Sequence, residues 1–190
     1  MSLIISSLVF LSVLLTPEVP WNYSMEGLPS GWRNDGFDFN AILGAHIMMY
    51  ALPPNSYEEA SLLSWADSVL IPTDCDSIIL EVDDHYLSIS REGSGTCAVY
   101  IYYRYYSGWA TAWHKNNSTT IDLYASIPVV PQEHLSLHFL GFVSVGDVGS
   151  AHLIWGIHEL TLTLWCDGSP IEVRSWGNLK TGFDSPVSPT

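Results

Sequence analysis

Beyond its first fifteen residues the chain carries no helical stripe; instead, short runs rich in β-branched and aromatic residues follow one another, each closed by a turn signal. The candidate strands are Ala45–Tyr50, Glu59–Leu63, Asp67–Ile71, Ser77–Ser90, Cys97–Tyr106, Thr119–Ser126, Leu135–Ser144 and Leu153–Thr163, with a further run at Ile171–Ser175. Between them stand Pro53-Pro54-Asn55-Ser56, Pro72-Thr73-Asp74, Glu92-Gly93-Ser94-Gly95, Asn116-Asn117 and Gly146-Asp147-Val148-Gly149. These segments punctuate through fixed φ, tolerated positive φ or side-chain turn bonds. Strands at this spacing, without helices between them, predict an all-β chain folded as an antiparallel two-sheet β-sandwich.

Composition decides which partners such a chain can take. It is 47% hydrophobic and 13% aromatic, with 8 Trp and 10 Tyr, which supplies a full core and argues against disorder. Twenty acids against 6 Lys and Arg leave a net charge of −14, a surface that repels phosphate and so excludes nucleic acid and anionic membrane. The same acidity leaves carboxylates available for a hard cation such as calcium. Leu3–Leu15 is an apolar run broken only by Ser6, Ser7 and Ser12, too short to span a bilayer and of signal-peptide length. Residues 1–20 are therefore expected as a signal peptide, 21–178 as the folded domain and 179–190 as a flexible tail, in a secreted or cell-surface protein without membrane insertion. No Lys or Arg precedes the run and no small-x-small site follows it, so a buried first strand is the alternative. Cys75, Cys97 and Cys166 show no metal spacing. In an oxidising compartment one pair would close, with Cys75–Cys97 favoured because these two flank neighbouring expected strands; the alternative is three buried thiols.

Two phrases add to this rhythm: Tyr23-Ser24-Met25-Glu26-Gly27-Leu28-Pro29-Ser30-Gly31-Trp32 and Trp155-Gly156-Ile157-His158-Glu159-Leu160. They resemble the opening and closing phrases of secreted jelly-roll β-sandwiches of the cleaved-adhesin and MAM-like type. Glu59–Pro72, an extended run ending at proline before a polar turn, is similar to a middle passage of the same family. The resemblance implies jelly-roll topology and a role in adhesion or carbohydrate binding. It also implies a structural calcium where first and last strands meet, with Glu26 and Glu159 as ligands and Asp35 and Asp38 as further oxygen donors from a turn. Here His158-Glu159 stands where the family has an acidic pair, and imidazole is a poor calcium ligand. Asp35-Gly36 also reads simply as a turn.

The remaining candidate chemistry lies on two strands. In Ala98–Tyr106, period 2 sends Val99, Ile101, Tyr103 and Tyr105 to one face and Tyr100, Tyr102, Arg104 and Tyr106 to the other. The first set suits a core. The second, with Trp109 following, offers aromatic surface around a cation, suited to stacking sugar rings or docking a cell-surface protein. The competing reading is that these tyrosines only satisfy β-propensity. In Glu81-Val82-Asp83-Asp84-His85-Tyr86, alternation places Glu81, Asp83 and His85 on one face. Two carboxylates about 5 Å apart would suit a retaining glycoside hydrolase, although histidine and tyrosine stand where its second glutamate belongs. A solvated outer face is the favoured reading of that strand. His134 and His138 are over ~13 Å apart on a strand, which rules out zinc spacing. The chain thus reads as a non-catalytic binding or adhesion module with glycan as the leading ligand. A hydrolase using Glu81 and Asp83, or a purely structural interaction domain, are the alternatives.

Overall fold

The computed structural model describes residues 17–83, 85–118 and 123–166, and among these every regular element is a strand. The first seven are β1 (Pro17–Ser24), β2 (Arg33–Asp35), β3 (Asp38–Asn40), β4 (Gly44–Ala51), β5 (Ser56–Leu63), β6 (Val69–Leu70) and β7 (Cys75–Asp83). There follow β8 (Tyr86–Gly93), β9 (Thr96–Tyr105), β10 (Gly108–Lys115), β11 (Leu123–Ile127), β12 (His134–Val145), β13 (Gly149–Ile157) and β14 (Glu159–Cys166). All pairings between them are antiparallel. The expected leader core Leu3–Leu15, the run Ile171–Ser175 and the tail 179–190 lie outside the described residues. Strand β1 begins at Pro17, opposite Trp165, and so includes residues counted above with the leader.

One layer is the sheet β10–β9–β12–β5–β2, with β6 also pairing β12. The other is made of two ladders, β1–β14–β7–β11 and β3–β4–β13–β8. These two ladders are joined through consecutive strands, β8 following β7 and β14 following β13. Asp83 pairs Glu159 and Tyr86 pairs Gly156, the same offset on both sides of the bend, so β7–β8 and β13–β14 run as two long strands that turn together. Side-chain alternation reverses there. Ile78, Leu80 and Val82 are buried before the bend and His85 and Leu87 after it; Trp155 and Ile157 give way to Leu160, Leu162 and Leu164. Without the reversal, one half of each strand would present its apolar row to solvent. Sequence alternation suggested unbroken strands over Ser77–Ser90 and Leu153–Thr163; each is two strands, because the apolar parity changes within it.

Strand β12 lies over β4 and β13, and the layers touch at Gly141. A Cβ there would come within 2.3 Å of Ile47 Cδ1 and 3.2 Å of Leu153 Cδ2, so any larger residue would push the end of the Ile47 side chain aside. Beside it, fully buried Phe139 lies between Trp32 (ring centroids 6.0 Å, 28°) and Trp155 (6.1 Å, 43°). Burying a ring of that size stabilises by about 2–3 kcal/mol through transfer from water. Trp21 meets Trp32 edge-on at 5.8 Å. The Trp32 Nε1–H donates to Asp67 Oδ2 at 3.0 Å, and the Tyr23 hydroxyl donates to the same oxygen. Trp32 and Trp155, the tryptophans of the opening and closing phrases, thus meet across one phenylalanine.

Cys97 faces Val143 on β12, whereas Cys75 faces Cys166 on β14. The favoured pairing of Cys75 with Cys97 is therefore corrected: strand neighbours along the sequence lie in different layers. Among the described residues no disulfide joins Cys75, Cys97 or Cys166.

Candidate binding surface

Parity on β9 sorts its side chains. Cys97, Val99 and Ile101 are fully buried, and buried Tyr105 donates its hydroxyl to the Pro128 carbonyl at 2.7 Å. Burial raises the Tyr105 hydroxyl pKa well above the ordinary phenol range, and a backbone interaction with Val130 opposes the shift only in part. The other parity, Tyr100, Tyr102 and Arg104, faces outward from the six-stranded layer, half-buried for the two tyrosines and exposed for the arginine.

Neighbouring strands extend this outer row. Tyr57 of β5 stacks on Phe142 of β12 (6.1 Å, 27°), and Phe142 on Tyr100 (6.2 Å, 11°). Tyr100 stacks on Tyr102 (5.4 Å, 4°) and on His114 of β10 (5.7 Å, 15°). His138 of β12 then bridges Tyr102 (5.9 Å) and Trp109 of β10 (5.4 Å). The Arg104 guanidinium sits 5.3 Å from the Trp109 ring centroid, a cation–π contact. Parallel rings with centroids this far apart are offset, and none of the stacked rings is fully buried. Trp109 and Tyr57, at the margins, keep 45% and 59% of their surface exposed, room enough for a ligand to stack.

One carboxylate and one imidazole set the electrostatics. Glu59 accepts a hydrogen bond from the Tyr57 hydroxyl; that bond, with burial and the carboxylate charge, pushes the Tyr57 pKa up to about 12. Burial, with Tyr100 and Glu59 nearby, raises Tyr102. Burial lowers the His138 pKa, and the negative charge of Glu59 opposes the shift. Burial between two aromatic neighbours thus favours the neutral imidazole of His138, a form with one donor and one acceptor nitrogen.

Tyr106 does not join the row. It lies in the turn after β9, 96% exposed, with its N–H donating to Glu133 Oε2 at 2.8 Å. There it lines a shallow open cleft of about 460 Å³ with Arg104, Glu133, His134, Ser136 and Ser68. Ser68 Oγ and His134 Nδ1 are 3.1 Å apart across it. Arg104 belongs to both the row and the cleft, so aromatic and polar surfaces are continuous.

Elsewhere the candidate residues disperse. Glu81 and Asp83 lie on β7 in the other layer, opposite Thr161 and Glu159 of β14. His85 is not on their face. The parity reversal carries it into the core, where Nε2 accepts the Trp155 Nε1–H at 2.9 Å and the ring meets Trp113 edge-on. The expected Glu81, Asp83, His85 face is thus corrected: His85 completes a buried tryptophan contact. Glu26 and Glu159 are exposed near the β1–β14 end, where the Met25 N–H donates to the His158 carbonyl at 2.8 Å. Asp35 stands on β2 in the six-stranded layer, paired with Ser61. Asn34 brackets its turn, accepting the Phe37 N–H at 2.9 Å. Among the described residues no three His, Cys, Asp or Glu side chains are grouped so as to hold a metal ion.

Four members of the row, Tyr57, His114, His138 and Phe142, were not among the expected ligand-binding residues. Parity within Leu135–Ser144 already sends His138 and Phe142 outward, opposite Leu137, Phe139 and Val143. No protein-family model matches the chain, and no curated protein shows a significant match to it.

Proposed function

We propose that this chain is a secreted, non-catalytic binding module of jelly-roll β-sandwich type, whose outer aromatic row takes a glycan. The topological reading is supported by strand order: β4, β13–β14, β7–β8, β11 in one layer and β5, β12, β9, β10 in the other, as two interleaved Greek keys require. The functional reading rests on one observation, the continuous outer row from Tyr57 to Trp109 on four strands with Arg104 and Glu59 at its edges. Apolar sugar faces stack on exposed aromatic surface, while hydroxyls need nearby donors and acceptors. The row supplies both. The competing occupant is a cell-surface protein, for which half-buried tyrosines serve equally well.

A screen of the full chain against an array of neutral and acidic oligosaccharides tests the reading. Selective retention of one sugar class, competed by the same sugar free in solution, is the expected result. Silence from a well-folded sample would remove glycan and leave the protein-docking reading. Release of reducing ends, lost in Glu81→Gln, would instead show the hydrolase alternative to be right.

A further inference from the structure

We infer that Cys75 and Cys166 are a built disulfide site that joins the start of β7 to the end of β14. The two are directly opposed in an antiparallel ladder, across a bulge after Trp165. Opposed residues in such ladders have Cα atoms about 4.5 or 5.5 Å apart, and both spacings fall within the span a disulfide bridges. The Cys166 side chain lies close enough to act on the Cys75 thiol as a hydrogen-bond partner. Cys75 is buried and also donates to the Ser77 carbonyl at 3.5 Å; Cys166 is half-buried and so the more accessible of the two. Cys97 offers a control within the same chain. It is fully buried opposite Val143, and its thiol donates to the His152 carbonyl at 3.5 Å. Geometry thus selects one of the three possible pairings.

The oxidant is a small-molecule disulfide such as oxidised glutathione. The Cys166 thiolate attacks one sulfur of that disulfide, giving a mixed disulfide and releasing one glutathione thiolate. The Cys75 thiolate then attacks the Cys166 sulfur, forming the Sγ–Sγ bond and expelling the second glutathione. Two protein thiols lose their protons and two electrons, and one glutathione disulfide becomes two thiols. The closed loop holds about ninety residues, a length at which a cross-link restricts the unfolded chain strongly.

The test is independent of any glycan. The full chain is incubated with oxidised glutathione at pH 8, alkylated without reduction, digested and mapped by mass. Expected are a linked peptide pair containing Cys75 and Cys166, one alkylated thiol at Cys97, and a Tm raised by ~5–10 °C that reductant reverses. Cys97→Ser should keep the link and the shift; Cys166→Ser should lose both. A link through Cys97 would overturn the inference. So would a glutathione that stays on Cys166 in the folded wild-type chain, because Cys75 would then be unable to reach it.

Discussion

Four tyrosines alternate along β9 and two of them do the opposite of the other two. Tyr105 turns inward, buried with its hydroxyl on the Pro128 carbonyl, and partly buried Tyr103 packs against the core beside it. Tyr100 and Tyr102 turn outward, stacked on each other and on rings from β12 and β10. Residue type is the same; parity alone decides whether a ring holds the fold or lies at its surface. The outer side of this sheet is lined with large rings, and it is there that the proposed glycan site lies.

That contrast can be broken most forcefully from the inside. Phe139→Ala removes the ring between Trp32 and Trp155 and should cost about 3–5 kcal/mol in urea unfolding. A loss below about 1 kcal/mol would mean that this face is not the core. Tyr105→Phe deletes one buried hydroxyl and strands its carbonyl partner, for an expected loss of about 1–2 kcal/mol by the same measurement. On the outer side Tyr102→Ala should cost only about 1 kcal/mol, mostly lost stacking, while abolishing ligand retention. Equal destabilisation by Tyr102→Ala and Phe139→Ala would erase the distinction between the faces.

Titration sharpens the contrast. The fold holds His138 below its ordinary value of 6.5, so near and below that pH the unfolded chain binds the extra proton first. Its contribution to stability is whole above pH 6.5 and is lost as pH falls through the lowered folded value. Melting curves recorded downward from pH 7 should therefore decline less steeply in His138→Gln than in the parent. Tyr57 has the opposite sign. Its hydroxyl ionises near 10 when unfolded and about 12 when folded, so its small contribution is present below pH 10 and fades between 10 and 12. Absorbance titration should show late-ionising phenols, and Tyr57→Phe should remove the one that titrates near 12.

How much of this was legible in the chain depends on how far the period-2 pattern holds. It holds along β9 and β12, which is why Val99, Ile101 and Tyr105 could be assigned to the core and Tyr100, Tyr102 and Arg104 to the surface. It fails at the bend before His85, where two paired strands reverse parity together, a cooperative event that one strand's sequence does not display. Strand β10 escaped notice because Trp109-Ala110-Thr111-Ala112-Trp113 changes register at a bulge between Thr111 and Trp113, which blurs its alternation. The row around Tyr100 could not be read from β9 alone, since Tyr57, Phe142 and His114 join it only once the order β10–β9–β12–β5 is known. The cysteine pairing followed the same logic: Cys75 and Cys166 are neighbours only through the β7–β14 ladder.

The most direct test of the outer face compares the parent with a Tyr102→Ala, Trp109→Ala variant on one glycan array, after melting curves have shown both to be folded. Selective binding by the parent, absent from the variant, is the predicted result. Binding that survives both substitutions, or a parent that retains no glycan, would contradict it.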